Sequence, residues 1–409
     1  MLYCLPVSSE RCFFAKQMEE KMLEGHIIRT EALKRIYENW KPEVMRSEII
    51  KVSDAVGRVL AEDQFSKYDF PVYRASAMDG IAVNFDILED GMPDTSAWRK
   101  GIEYIRADTG DDFDDRYDTV IPVEWVKWDS DGRISIDLKE DIKRGNSVHG
   151  AGSRLKKGEI LVNKGTELKA FHLARLVSGG ITKVPVIKIP VVAFLPTGSE
   201  LIRAGMVPER GQNIDSNSIM AEYEIKAAGA EPLMYSITQD KKDELEQKLN
   251  DAVSKADIVV INGGSSKGEE DFNTELLEKN GELLFHWVRS APGRPVSAAV
   301  IKNKLVVNLA GPSTAALAGF KWLIGPMVQR LTGRKSRIFE YRDAVLDKDM
   351  KSPPLDLFKL MRAYEKGGVI YVTDIERGSS ESSGANAYFI TDYNKDSYKR
   401  GEHILIGLL

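Results

Sequence analysis

Residues 256–279, ADIVVINGGSSKGEEDFNTELLEK, pass from an apolar strand through a glycine-rich turn into a helix. ADIVVIN is short and rich in β-branched residues, as a buried strand should be, and NTELLEK resumes helical character. The same order recurs on either side. IPVVAFL (189–195) ends in PTGSEL (196–201) and leads to the helix SNSIMAEYEIKAAG (216–229), closed by Gly229. LVVNLAG (305–311) runs directly into PSTAALAGFKWLIG (312–325). Between them, DKKDELEQKLNDAVSKA (240–256) sets Leu245, Leu249, Ala252 and Val253 on one side of a helix. Strand, glycine-containing turn and helix, repeated three times, is the pattern of a doubly wound α/β domain.

Outside this block the texture changes. TEALKRIYENW (30–40) reads as a helix, with Leu33, Ile36, Tyr37 and Trp40 on one face and Thr30 as its N-cap. SDAVGRVLAED (53–63) reads as a second, short helix capped by Ser53. DGIAVNF, EYIRA, TVIPVEWVKW and RISIDL, between 79 and 138, read as strands, with DSDG (129–132) as a hairpin turn. KKGEILVNKGTELKA (156–170) reads as short strands and turns. After Arg334, SRIFEY, GVIYVTD, AYFITDY and HILIGLL predict a small all-β domain.

The chain has 409 residues, a span for two to four domains, and 43% hydrophobic residues, which excludes wholesale disorder. A net charge of −5 lacks the basic surplus of a nucleic-acid binder. Two cysteines, Cys4 and Cys12, exclude a disulfide framework and fit a reducing cytoplasm. No signal-peptide core and no apolar run of membrane-spanning length occurs. The five histidines never fall at zinc-binding spacing, and no Gly-x-Ser-x-Gly elbow is present.

In a doubly wound sheet the ligand sits at the carboxyl ends of the strands. PTGSEL, GGSSKGEED (263–271) and AGPST (310–314) fall there. Gly263 and Gly264 allow a tight turn whose N–H groups can face an anion, and Lys267 is placed to reach a phosphate. The spacing is neither Walker A nor Gly-x-Gly-x-x-Gly, so a plain turn reads equally well. Glu200, Asp215, Asp240 and Asp271 crowd the same edge, and the last three also suit helix N-caps. Carboxylates beside a phosphate loop call for a cation between them, and hard oxygen ligands suit Mg²⁺. Arg294, flanked by Pro292 and Pro295, is either an anion holder or an exposed turn residue. Asp79-Gly80, in FPVYRASAMDGIAV (70–83), is either a turn or a functional carboxylate.

Taken in order, GRVLAED (57–63), SAMDGIAV (76–83), Thr109-Gly110, IPVE (121–124), PTGSEL, IDSNS (214–218), AAGAE (227–231), GGSSKGEEDF, PGRP (292–295) and GEHILIGLL (401–409) resemble the molybdopterin molybdenumtransferases, the family that includes the E domain of gephyrin. The resemblance spans about residues 50 to 409. It implies a multidomain α/β and β protein. Domain I is split (1–56 and 143–188), a mainly β domain II (57–142) is inserted in it, domain III (189–333) is the doubly wound pterin-binding domain, and domain IV (334–409) is β. It further implies a cytoplasmic homodimer that inserts molybdate or tungstate into adenylylated molybdopterin with Mg²⁺ and releases AMP, with a molybdopterin adenylyltransferase as partner, and neither nucleic acid nor membrane.

Carried over by motif, Asp79, Thr109, Glu200, Asp240 and Asp271 are catalytic, and Glu200, Asp240 and Asp271 hold the metal. Thr197, Gly198, Asp215, Ser216, Asn217, Gly263, Gly264, Ser265, Ser266, Lys267, Gly268, Pro292, Gly293, Arg294 and Ser313 hold phosphate or pterin. The chain departs from the family pattern at Ser199 and Arg154, where acids are usual, at Ala291, where Lys is usual, and in GGSSKG and LAGPSTAA. Those departures keep open a second reading: a non-catalytic paralogue that binds molybdopterin or a partner on the same scaffold.

Overall fold

The computed structural model describes residues 26–42, 46–239, 241–263, 272–334, 340–375 and 384–409. The chain forms two compact units, one of residues 47–187 and one of the remainder. Among the described residues no helix is long and apolar enough to cross a membrane.

The larger unit is built on a six-stranded sheet in the order Glu231–Met234, Val191–Pro196, Ile258–Asn262, Lys304–Leu309, Ser297–Ile301, Glu282–His286. The first four strands run parallel; Ser297–Ile301 runs against them, and Glu282–His286, antiparallel to it, runs with them again. Alternation along the parallel strands fills two cores. Val192, Phe194, Ile258, Val260 and Val307 face one side, with Ala221 and Ile225 of the helix Asn217–Ala227 and Ile36 of Arg29–Asn39. Ala193, Leu195, Val259, Ile261 and Val306 face the other, against Leu245, Leu249, Ala252 and Val253 of Lys242–Lys255. Each such Leu or Val contributes about 1.5–3 kcal/mol by leaving water. Buried on both faces, the strands read as continuous apolar runs, which is why they were visible in the sequence.

The third helix departs from regularity. Ser313–Gly319 continues through one π turn, Phe320–Ile324, into Gly325–Thr332, where Gly333 in the left-handed region ends it. In the tail, Asp356–Lys366, Val369–Asp374, Tyr341–Leu346, His403–Leu408 and Ala387–Ile390 pair in sequence, and Ala387–Ile390 pairs back on Asp356–Lys366. The result is a closed β-barrel with Met361, Val372 and Ile406 inside.

The smaller unit has its own core. Ser47–Lys51 pairs antiparallel with Lys183–Ile187, over the helix Ala170–Ser178 and the strand Ile160–Val162. A second cluster lies under the three-stranded sheet Tyr104–Ala107, Gly80–Val83, Thr119–Pro122 and the hairpin Val126–Trp128/Ile134–Ile136.

Three expectations need correction. Residues 53–63 form no helix: a 3-10 turn, Val52–Asp54, gives way to isolated bridges at Val59 and Leu60 because Gly57, at φ 77°, breaks the run. Thr30 does not cap the first helix, whose N-cap position is Ile28 with no side-chain bond. The first tail strand begins at Tyr341, and 336–339 of the expected SRIFEY lie outside the described residues.

Candidate functional site

The parallel strands end at Pro196, Asn262 and Leu309, and a cleft of about 650 Å³ opens beyond them. Backbone pairing builds it. Thr197 N donates to Asn262 O (2.9 Å) and Gly198 N to Thr238 O (3.0 Å), fixing PTGSEL to its neighbours. The loop then folds back through the short parallel pair Leu201–Ile202 and Asn213–Ile214. That return brings Glu200 and residues 213–217 to one rim.

Two glycines make the close approaches possible. A Cβ on Gly263, at φ 122°, would stand 2.0 Å from Thr197 O. A Cβ on Gly198 would stand 2.8 Å from a Glu200 carboxylate oxygen, so only glycine leaves that carboxylate where it is.

Thr197, Glu200, Asp215, Ser216, Asn217, Gly263, Gly293 and Ser313 all line the cleft. Ser216 and Ser313 Oγ atoms stand 3.4 Å apart, so the amino ends of two helices meet at the rim. Such ends carry partial positive charge and favour anions. Asp215 is engaged locally: its oxygens accept from Ser218 N (3.0 Å) and Oγ (2.6 Å), capping the helix. Pro292 and Arg294 do not line the cleft. Burial and, after it, the nearby Arg294 hold the His26 imidazole below its ordinary pKa. Asp240, Asp271, Gly264, Ser265, Ser266, Lys267 and Gly268 lie outside the described residues.

Sequence reasoning missed a set of buried amides beneath the cleft. Asn262 Nδ2 donates to Ala310 O (2.9 Å) and Leu309 O (3.3 Å), both of which can only accept. Asn262 Oδ1 must therefore accept from Asn217 Nδ2 (2.8 Å), which also donates to Gly311 O (2.6 Å). Asn273 Nδ2 donates to Gly263 O (2.8 Å) and to Asn308 Oδ1 (3.0 Å). These side chains replace the ladder at the strand ends and pin the loops of the cleft to one another. The sequence signal was faint: Asn262 and Asn308 are polar residues at the ends of otherwise apolar strands.

Deeper still, Lys321 in the π turn pairs with Glu224 of Asn217–Ala227 at 2.8 Å, with side-chain exposures of 4% and 6%. The two helices whose amino ends rim the cleft are thus joined by a buried ion pair.

In the smaller unit, Asp79 Oδ1 accepts from Thr109 N (2.7 Å) and Thr109 Oγ1 (2.8 Å). Gly80, where a Cβ would stand 2.1 Å from Ile121 O, lets the strand after Asp79 lie against its neighbour. The Thr109 backbone bond, then its hydroxyl, holds the Asp79 carboxyl below the ordinary range. Bonds to the charged form favour the ionised carboxylate. Thr109→Val leaves the backbone bond and removes the hydroxyl. The Asp79 pKa, followed by carboxyl-carbon NMR, is expected to rise toward the ordinary value; an unmoved titration would discount the hydroxyl.

Among the described residues no three His, Cys, Asp or Glu side chains converge on one point. Sequence and fold nevertheless match one class of protein. Residues 27–180 match the family described as MoeA N-terminal region (domain I and II), and residues 193–330 the family described as probable molybdopterin binding domain. The molybdopterin molybdenumtransferase of Haemophilus influenzae is 30% identical over 306 residues, covering 72% of this chain and 75% of that protein. That of Bacillus subtilis is 27% identical over 386 residues, covering 89% and 90%. The crystal structure of the molybdopterin biosynthesis moeA protein from Pyrococcus horikoshii OT3 matches with a TM-score of 0.77 at 26% identity, covering 94% of this chain and 100% of that one. The chain belongs to the molybdopterin molybdenumtransferase family, transferases of molybdenum cofactor biosynthesis.

Proposed function

We propose that the protein inserts molybdate, or tungstate, into adenylylated molybdopterin in a Mg²⁺-dependent reaction that releases AMP. The observation carrying this reading is the cleft itself. Two helix amino ends, the hydroxyls of Ser216 and Ser313, and the Glu200 carboxylate meet at one rim, a set suited to a phosphorylated ligand and a hard cation together. Glu200 would hold Mg²⁺, which usually takes one or two carboxylates plus substrate phosphates. Asp240 and Asp271, by motif, complete that set. When bound, the ion offsets the charge of the phosphate. Asp79, kept ionised by Thr109, supplies a negative charge. No protein nucleophile is needed, because the sulfur that binds the metal belongs to the pterin.

Purified protein given adenylylated molybdopterin, Mg²⁺ and molybdate should release AMP. No release, alongside a competent family member, would sink the reading. The departures at Ser199 and in LAGPSTAA favour the second reading, a binding paralogue. Tight pterin binding without AMP release would select it.

The homodimer belongs to the same proposal. Asn217–Ala227 carries apolar residues on both faces: Ala221 and Ile225 point inward, while Ile219 and Tyr223 are 63% and 68% exposed. A second copy of the chain is the occupant we assign to that outer face. Sedimentation is expected to show a dimer that Tyr223→Glu weakens at least tenfold; a monomer at micromolar concentration would end this assignment.

A further inference from the structure

The larger unit has a second cleft, about 490 Å³, at the opposite end of its sheet from the family's site. It lies where the parallel strands begin, beside Asp257 and Lys304, rather than at their carboxyl ends. The cleft has an apolar wall that includes Trp40, and four cations, Arg46, Lys188, Lys302 and Lys304, stand around it.

Asp257 is the one carboxylate among its described lining residues, and it is already committed. Its Oδ2 accepts from Val191 N (2.9 Å), and its Oδ1 pairs with Lys304 Nζ (3.1 Å). Arg46, Lys188 and Lys302 have no ion-pair partner among the described residues. Their positions are fixed by backbone. Lys188 N donates to Arg46 O (2.9 Å), which clamps the chain's last residue before the smaller unit to its first residue after it. Lys302 and Asn303 form the turn of the hairpin Ser297–Ile301/Lys304–Leu309 with φ of 47° and 62°. Trp40 Nε1 donates to Asn303 O (3.3 Å) and holds that turn against the first helix.

Three uncommitted cations around a concave surface, in a chain with more acids than bases, constitute a local field of the wrong sign for the protein and the right sign for an anion. A cleft of this volume accepts a small molecule. Guanidinium and ammonium groups on residues lining one space are the donors that phosphate oxygens take. We propose that this cleft is a second, separate binding site for a small phosphate-bearing anion, held by Arg46, Lys188 and Lys302.

The test is calorimetric titration of the full chain with pyrophosphate at constant ionic strength. Binding is expected with a dissociation constant below about 1 mM, roughly −4 kcal/mol. Lys188→Glu with Lys302→Glu is expected to weaken it at least tenfold. A control pair of reversals on exposed lysines of the smaller unit, Lys157→Glu with Lys164→Glu, should leave it unchanged. Unaltered binding in the first pair, equal weakening by both pairs, or no heat at all would each overturn the proposal.

Discussion

Lys321→Met is expected to destabilise the larger unit by about 3–5 kcal/mol, the cost of leaving one member of a buried ion pair without its counter-charge. The group left behind is Glu224, 5% exposed on a helix that also buries Ala221 and Ile225. Methionine fills the volume of the lysine stem, so cavity formation contributes little and the loss is electrostatic. The paired change Lys321→Met with Glu224→Leu removes both charges, and most of the stability should return. Denaturant unfolding of the two variants separates the causes. If Lys321→Met alone costs under about 1 kcal/mol, the pair is solvated and the buried-charge account fails. Because the pair joins the two helices that rim the cleft, ligand affinity should fall with Lys321→Met and recover with the double variant.

Glu200→Gln is expected to lower AMP release about 100-fold at limiting Mg²⁺, the scale of losing one acid or metal contact at a catalytic centre. The amide keeps the shape beside Gly198 and removes the charge, so folding should be unaffected. Raising Mg²⁺ should recover part of the rate, since a weakened metal site is filled by mass action. A deficit that is the same at every Mg²⁺ concentration would remove Glu200 from the metal and leave it a ligand-positioning role.

The doubly wound sheet was legible because strands buried on both faces carry an unbroken apolar signal, and because helices such as Lys242–Lys255 repeat theirs at helical spacing. Elsewhere local composition and tertiary structure disagree. Asp356–Lys366, DLFKLMRAYEK, is the longest strand of the barrel, yet Lys, Leu, Met, Arg, Ala and Glu are helix formers. Its pairing with strands on both sides overrides that preference. Ala170–Ser178 escaped notice because it follows a run of turns and buries only Leu176 fully. SDAVGRVLAED looked helical from its apolar spacing, but its central glycine sits in a turn.

The site was legible in part. Thr197, Glu200, Asp215, Ser216, Asn217, Gly263, Gly293 and Ser313 come to one cleft because all follow strands that end on one edge. Arg294 follows the same strand as Gly293, Glu282–His286, which runs with the parallel strands, but within that loop only Gly293 and Pro295 line the cleft. The asparagines under the cleft left only a faint local trace, a polar residue at the end of an apolar strand. Their partners are one another and backbone carbonyls distant in sequence, and only the folded topology makes them neighbours.

The barrel's closure bears on what changes the chain tolerates. Asp356–Lys366 serves both seams: Phe358 to Met361 pair with Ala387–Ile390, and Met361 to Lys366 pair with Val369–Asp374. Substitutions along it act one side chain at a time. Inserting or deleting one residue near Met361 turns every later side chain to the other face and moves one seam out of step with the other. Length, more than residue identity, is what this segment cannot vary.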